Sequence, residues 1–439
     1  MANKILDDLK RQQQQFLSFN VWRLRLVFWT GAVLVGAVTL MFSRLAELAD
    51  HLFSNWAQQN PLLPFVLTPA GLIAVAWMTR RFLPGAEGSG VPQVIATLES
   101  NAEKRFLGLR IVFGKIACTL LALISGASVG IMGPSVQIGS SIMLGVHRFA
   151  SFPAEFYHRG MIIAGGAAGF AAAFNTPLAG IVFAFEQLSR SLEQKTSGLI
   201  LTTVILSGLT AMALQGSQPY FSVSAGTFSF DPNLFIALGI CGVVGGVLGG
   251  LFSRLIVIGS RSLKPLLQAN PIRVIAVLGL IIALTGYLSG HASVGTGHQE
   301  VNAIVSGTQV YDPWFPLYKF IATLASYFTG IPGGIFAPAL ATGAGIGQNL
   351  AHLMPLAPMA FLILTGMVAY FSGVIQAPIT AMVIVLEMTS NQSMIFPLMI
   401  AAVTGSAVSS AVCPRSLFSV LASSLNTQQK TSTPEQRAD

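Results

Sequence analysis

Charged residues are scarce in this sequence. Asp, Glu, Lys and Arg make up 9% of its 439 residues, whereas 53% are hydrophobic. A soluble domain carries about 25% charged residues, and a membrane-spanning helix takes about 20 apolar residues. We therefore predict an all-α polytopic membrane protein. Its apolar runs lie near residues 24–42, 62–79, 111–147, 161–187, 197–214, 233–258, 273–288, 317–351, 358–390 and 394–413.

Cysteine is also rare, and potential catalytic side chains are not grouped. Cys118, Cys241 and Cys413 lie in apolar runs without metal-like spacing, which indicates neither a disulfide framework nor a zinc site. The six histidines include His147 and His298, which have no spaced partners. If His298 faced water it could sense pH, although a packing or loop role is simpler. We expect no enzyme activity, no metal and no cofactor.

The basic residues nearest the N-terminus lie in two groups. Five fall between residues 4 and 25 and five more between residues 80 and 110, whereas residues 50–61 contain none. This distribution follows the positive-inside rule and predicts a cytoplasmic N-terminus. The net charge of +8 is therefore assigned to the membrane surface, and we expect no nucleic-acid partner.

Two motifs with glycine and proline predict helix starts at membrane depth. Residues 130–134 read Gly-Ile-Met-Gly-Pro within an uncharged stretch between Lys115 and Arg148, and residues 334–338 read Gly-Ile-Phe-Ala-Pro. Glycine lets the backbone turn, and proline suits the first turn of a helix. The first amides of a helix have no internal partners, so they can bind an anion without a cationic side chain. The two starts together suggest one anion site.

A third motif, Gly-Ser-Gly-Val-Pro at residues 88–92, follows a cationic loop. An ordinary turn would explain it, but the Ser89 hydroxyl can also donate to an anion. Repetition favours the functional interpretation, because the triplet returns 207 residues later with Thr296 at its centre. The two helix-start motifs are 204 residues apart. The chain is therefore an internal duplication, a plan typical of transporters with broken helices.

Three charged residues inside apolar helices need an explanation, because charge is costly in a membrane. Glu186 and Glu387 each follow a proline, Pro177 or Pro378, by nine residues. Their symmetry favours capping or pairing at a helix end over proton carriage. Lys115 stands alone, and two roles stay open for it: its long side chain could reach an interface, or its charge could attract anions from a vestibule.

Together these motifs resemble the CLC family of chloride channels and proton-coupled chloride antiporters. The resemblance covers essentially the whole chain. It implies a homodimer in the lipid bilayer, with one anion pathway per subunit and an inverted repeat of about eighteen helices, many of them not fully spanning. It also implies a set of chloride-binding positions, namely Ser89, Ile335, Phe336 and Phe418 for the central site and Ile131, Met132 and Gly133 for the outer site.

Three positions depart from the family pattern. Met132 stands where the family has its gating glutamate, Gln187 where the antiporters have an inner proton-accepting glutamate, and Phe418 where the family has a tyrosine. Methionine and glutamine do not titrate. We therefore expect passive chloride conduction or uniport. The alternative is a chloride/proton antiporter that uses a displaced carboxylate such as Glu186, and a third hypothesis is a membrane scaffold whose pathway has decayed.

The resemblance and the repeat suggest four parts. We predict an N-terminal cytoplasmic or interfacial helix at 1–22, a first membrane repeat at 23–220, and a second repeat with the last pore-facing helix at 221–424. A polar tail follows at 425–439. The expected location is the bacterial inner membrane, with both termini in the cytoplasm. By resemblance to the CLC family, the presence of Ser89 favours chloride over fluoride as the transported anion.

Overall fold

The computed structural model of the chain describes residues 19–100, 103–147, 155–189, 194–216, 220–221, 223, 232–310 and 312–431. Within these ranges the regular structure is helical, without strands. The prediction of an all-α membrane protein is therefore confirmed. Most of the predicted N-terminal helix at 1–22 lies outside the described residues.

The described residues of the first half form nine helices, the eighth of which ends in a π-helical turn over Ala184–Leu188. Helix starts coincide with proline or with the predicted glycine motifs in several cases. The helices are α1 (Phe19–Gln59), α2 (Pro64–Phe82), α3 (Val91–Ser100), α4 (Glu103–Phe106), α5 (Leu109–Ile124), α6 (Met132–His147), α7 (Glu155–Phe174), α8 (Pro177–Phe183) and α9 (Gln194–Gln215).

The second half repeats this order of long and broken helices. Its helices are α10 (Pro232–Ala269), α11 (Pro271–Leu288), α12 (His298–Ser306), α13 (Phe315–Phe328), α14 (Phe336–Leu353), α15 (Met359–Ile375), α16 (Pro378–Thr389), α17 (Ile395–Val412) and α18 (Leu417–Thr431). The last helix continues past residue 424, where the sequence suggested that a polar tail begins.

Five helices of the described chain are long and apolar enough to cross a membrane. They are Arg25–Gln59, Gly198–Gln215, Pro232–Ala269, Pro271–Leu288 and Gln392–Val412. Several of the other apolar runs are broken into shorter helices. This breakage follows from the glycine and proline residues within the runs, and a broken helix at membrane depth must be enclosed by protein or line a polar cavity.

Helix α1 is longer than its hydropathy suggests. It spans 41 residues and continues through 50–59, well beyond the apolar run near 24–42. The helix runs on because one face of this extension is packed against protein, with Asp50 only 9% exposed and Ala46, Ala49, Phe53 and Ala57 buried. A charged residue can end an apolar run in the sequence without ending the helix.

The backbone conformation also shows the duplication, at four pairs of matched positions. Left-handed backbone angles recur at matched positions in the two halves, where a side chain would be strained and glycine is favoured. The matched pairs are Gly88 and Gly295 (φ +62° and +66°), Gly90 and Gly297 (+104° and +83°), Gly126 and Gly330 (+82° and +76°), and Asn175 and Gln376 (+56° and +53°).

Close helix packing surrounds the centre of each repeat. Helix α6 packs on α7 where Gly139 meets the backbone of Gly165, and α14 packs on α15 where Gly347 meets Gly366. A side chain at any of these glycines would meet the backbone of the facing helix. Small residues allow such approach in membrane helices, where dispersion contacts hold the structure together. This packing fixes the starts of α6 and α14.

Candidate anion-binding site

The three predicted motifs meet through reciprocal backbone hydrogen bonds. The Gly130 amide donates to the Gly334 carbonyl at 2.7 Å, and the Gly334 amide donates to the Gly130 carbonyl at 2.7 Å. The loop of Ser89 joins them, because the Gly88 amide donates to Ile331 at 3.1 Å and the Gly333 amide donates to Gly88 at 3.1 Å. Motifs far apart in the sequence thus lie in one place.

Helices α6 and α14 begin against each other and have equivalent first turns. The first bond of α6 runs from the Ser135 amide to Ile131 at 2.9 Å, and that of α14 from the Ala339 amide to Ile335 at 3.0 Å. The amides before these bonds have no partner inside the helix. Neither first turn contains an acidic residue. Both positive helix ends are therefore available to an anion from outside the chain.

Ser89 lies at the same junction. Its side chain is 2% exposed, and its hydroxyl has no hydrogen-bond partner among the described residues. The hydroxyl packs against Gly133, where any side chain would collide with it. A buried polar group without a partner costs about 1–3 kcal/mol. This cost is offset if the hydroxyl donates to a bound ion.

Lys115 anchors the loop that carries Ser89. Its side chain is fully buried, and Nζ donates to the carbonyls of Ala86 at 2.8 Å and Gly88 at 2.7 Å. The Lys115 side chain therefore does not reach an interface, which corrects one of the two roles considered from the sequence, and its role as a charge that attracts anions from a vestibule stays a prediction. A single sequence does not reveal which carbonyls surround a lysine.

The sequence analysis missed a second lysine with the same role. Lys319 is fully buried, and its Nζ donates to the carbonyls of Val294 at 2.8 Å and Gly295 at 3.1 Å. It follows Lys115 by 204 residues, which is the spacing of the two helix-start motifs. The repeat spacing could therefore have identified it.

The side chains at the predicted chloride positions are enclosed. Met132 and Phe336 are fully buried, and Ile131 and Ile335 are 4% and 2% exposed. Met132 begins α6 and contributes no titratable group or strong hydrogen-bond donor. Its side chain belongs to the apolar core rather than to an open passage. The backbone amides of these residues, not their side chains, form the polar part of the site.

Phe418 closes one side of the site with an aromatic contact. Its ring is fully buried and stacks on Phe336, with ring centroids 5.4 Å apart and an interplanar angle of 22°. Phe336 also contacts Phe371 at 5.3 Å and Phe170 at 5.9 Å. The position that the family fills with a tyrosine hydroxyl thus belongs to an apolar cluster at the start of α14.

Glu186 and Glu387 cap helices of the opposite repeat. The Glu186 carboxylate accepts from the amides of Ile379 at 3.1 Å and Thr380 at 2.6 Å, in the first turn of α16. The Glu387 carboxylate accepts from the matched amides of α8, Leu178 at 3.0 Å and Ala179 at 2.8 Å. These contacts support the structural role that their symmetry suggested.

Gln187 also bonds across the repeats. Its Nε2 donates to the Ile375 carbonyl at 3.2 Å, at the end of α15. The residue lies in the π-helical turn that ends α8, where the side chains are displaced from α-helical directions. The neighbouring Glu186 is engaged as a cap, so the two side chains have separate partners.

A wide cavity reaches the site from one side of the molecule. Its lining includes Ser89 and three basic side chains, Arg80, Arg105 and Lys264, with Glu87 as the acidic one. A cleft in which one sign of charge dominates raises the local concentration of the opposite ion. The cavity therefore favours the approach of anions to Ser89.

A smaller cavity lies beside the two helix starts. Its lining includes Ile131, Ala337, Thr296 and His298. The His298 ring packs on aromatic residues, including Tyr220 with centroids 4.4 Å apart. This contact supports the packing role for His298.

Known proteins resemble this chain over most of its length. The family model described as "Voltage gated chloride channel" matches residues 70–410. A protein of Klebsiella pneumoniae subsp. pneumoniae named "H(+)/Cl(-) exchange transporter ClcA" is 32% identical over 375 residues, which are 81% of this chain and 76% of that protein. The protein of the same name from Salmonella typhimurium is 32% identical over 395 residues, covering 85% and 78%.

Two solved structures share the fold. A slow cyanobacterial Cl⁻/H⁺ antiporter superposes with a TM-score of 0.81 at 24% identity, covering 93% of this chain and 99% of that one. A CLC-type fluoride/proton antiporter superposes with a TM-score of 0.79 at 22% identity, covering 92% and 98%.

Proposed function

Because the chain belongs to the voltage gated chloride channel family, we propose that it transports chloride through the site formed by Ser89 and the starts of α6 and α14. The single observation that carries this proposal is the Ser89 hydroxyl. It is buried without a partner, at a junction of two helix starts whose first turns contain no acidic residue. Such a set of donors suits a small monovalent anion.

Proton-coupled exchange is the mode that the relatives favour. The named relatives are H⁺/Cl⁻ exchange transporters, and the similarity covers about four fifths of this chain. This support is stronger than that for the passive conduction expected from the sequence. Glu186 is a poor proton carrier for such exchange, because two amides hold its carboxylate as a helix cap.

Passive chloride movement is the second candidate, and two residues favour it. Met132 occupies the gate position as a fully buried thioether, and Gln187 donates its amide to Ile375. Neither side chain can bind a proton at ordinary pH. Exchange therefore requires a titratable group at a position other than these two.

Simultaneous flux measurements on proteoliposomes separate the two modes. With the membrane potential clamped, exchange predicts uphill proton movement driven by a chloride gradient, whereas passive movement predicts chloride flux alone. Glu186→Gln and Glu387→Gln form a matched pair. If Glu186 carries protons, only the first variant loses proton flux, and if both are caps the two variants behave alike. Absence of chloride flux from the wild type would contradict the proposal as a whole.

We also propose the cellular setting that the sequence analysis suggests. The protein would act as a homodimer in the bacterial inner membrane with both termini in the cytoplasm, an orientation supported by the basic residues near the N-terminus. Light scattering of the detergent-solubilised protein would give the number of subunits. Protease protection of a C-terminal tag in inside-out vesicles would test the orientation.

A further inference from the structure

Thr296 in the second repeat occupies a loop built like that of Ser89 in the first. Gly295 and Gly297 flank it with left-handed backbone angles of +66° and +83°, as glycines flank Ser89. Lys319 fixes this loop by donating to two of its carbonyls, as Lys115 does in the first repeat. The two loops therefore present a hydroxyl in equivalent surroundings.

The two hydroxyls differ in their partners. The Ser89 hydroxyl has none among the described residues, whereas that of Thr296 donates to Oδ2 of Asp50 at 2.9 Å. The Thr296 amide donates to the same oxygen at 3.2 Å. One carboxylate oxygen thus accepts from a hydroxyl and a backbone amide, which are the kinds of donor that the first repeat offers to chloride. Asp50 reaches this place from α1 and is 9% exposed.

We propose that the Asp50 carboxylate fills a second anion subsite at Thr296, and that chloride binds there when the carboxylate is removed or protonated. This inference extends the proposed chloride transport and rests on it. In the wild type the internal carboxylate and a chloride ion compete for the same two donors.

The charges around Asp50 permit chloride to replace the carboxylate at Thr296. Lys319 on α13 attracts the carboxylate, whereas Glu300 on α12 repels it. His51 on its own helix and Tyr220 also interact with Asp50 electrostatically. A single buried ammonium balances only one of the two carboxylates. With a proton on Asp50, the Lys319 charge still interacts with the Glu300 carboxylate, so the release of Asp50 from Thr296 does not leave Lys319 without a nearby opposite charge.

The subsite lies beside the starts of α6 and α14. Thr296 and Gly297 line the smaller cavity, whose wall also includes Ile131 and Ala337. An anion leaving those helix starts on this side meets Thr296. Proton binding by Asp50 and anion binding at Thr296 would then occur together, which supplies a titratable competitor that Met132 cannot provide.

Anomalous scattering from bromide locates the subsite directly. Crystals of the wild type, Asp50→Ala and Asp312→Ala are soaked in bromide at neutral pH, and the wild type is also soaked at about pH 4.5, close to the ordinary titration range of a carboxyl group. Asp312→Ala is the matched control, because its Oδ1 accepts from the Trp314 amide at 2.7 Å in an exposed loop away from this cavity.

We expect a new bromide peak at Thr296 in Asp50→Ala at neutral pH and in the wild type in acid, and none there in the neutral wild type or in Asp312→Ala. A bromide peak at Ser89 without one at Thr296, both in acid and in Asp50→Ala, would overturn the inference and leave the proposed function standing. If Asp50→Ala does not fold, the acid-soaked wild type decides. The loss of bromide at Ser89 in every crystal would instead contradict the proposed function.

Discussion

Removing the Ser89 hydroxyl should weaken chloride binding without weakening the fold. The hydroxyl is buried and has no partner among the described residues, so Ser89→Ala breaks no hydrogen bond within the described chain. A hydrogen bond to a charged group contributes about 1.5–3 kcal/mol, which converts to about a 10- to 150-fold loss of chloride affinity. In chloride-free buffer the free energy of unfolding should rise by about 1–3 kcal/mol, because the substitution removes a buried hydroxyl that has no partner among the described residues.

Ser253→Ala is the matched control, because it also removes a buried hydroxyl. In the wild type that hydroxyl donates to the Val374 carbonyl at 2.8 Å. Its loss should lower the free energy of unfolding by about 1 kcal/mol and leave chloride affinity unchanged. Titration calorimetry and thermal unfolding in detergent, each with and without chloride, measure both quantities. Wild-type chloride affinity in Ser89→Ala would refute the assignment of the hydroxyl to the ion.

Three further substitutions test neighbouring parts of the site. Met132→Glu puts a titratable group at the start of α6, so chloride flux should slow at neutral pH and recover in acid; slowing that is independent of pH would contradict the gate position. Phe418→Tyr should tighten chloride binding by about 10- to 150-fold in calorimetry if its new hydroxyl reaches the ion, and equal affinity would show that it does not. Glu387→Gln weakens the cap on Leu178 and Ala179, so the unfolding free energy should fall by about 1–2 kcal/mol; an unchanged thermal midpoint would argue against the cap.

The sequence identifies the parts of the site that are specified by short motifs. Glycine and proline mark the breaks before α6 and α14, and the structure places both breaks together because the duplicated halves face each other. The same local signal identified Ser89. The partners of charged residues could not be read in this way. Asp50 contacts Thr296 across 246 residues of sequence, and no pattern on α1 distinguishes it from a surface charge.

Lys115 and Glu186 also show that the sequence does not reveal the partners of a charged residue. The spacing of Glu186 and Glu387 predicted a shared role at helix ends, but not that each carboxylate caps a helix of the other repeat. For Lys115 the sequence left two roles open, and the structure shows a third, because its carbonyl partners belong to a loop that only the fold brings within reach. The type of residue limited the possible functions, and the contacts decided among them.

The distribution of carboxylates among the helix starts agrees with the proposed position of the anion site. The starts of α8 and α16 are neutralised from within the chain, because Glu387 and Glu186 accept from their first amides. The starts of α6 and α14 have no acidic residue in the first turn. The positive end of a helix in a low-dielectric interior is stabilised by an anion, and at α8 and α16 a carboxylate of the chain supplies it. The starts of α6 and α14 meet each other and the Ser89 hydroxyl, which has no partner among the described residues, and this is where we propose that the mobile ion binds.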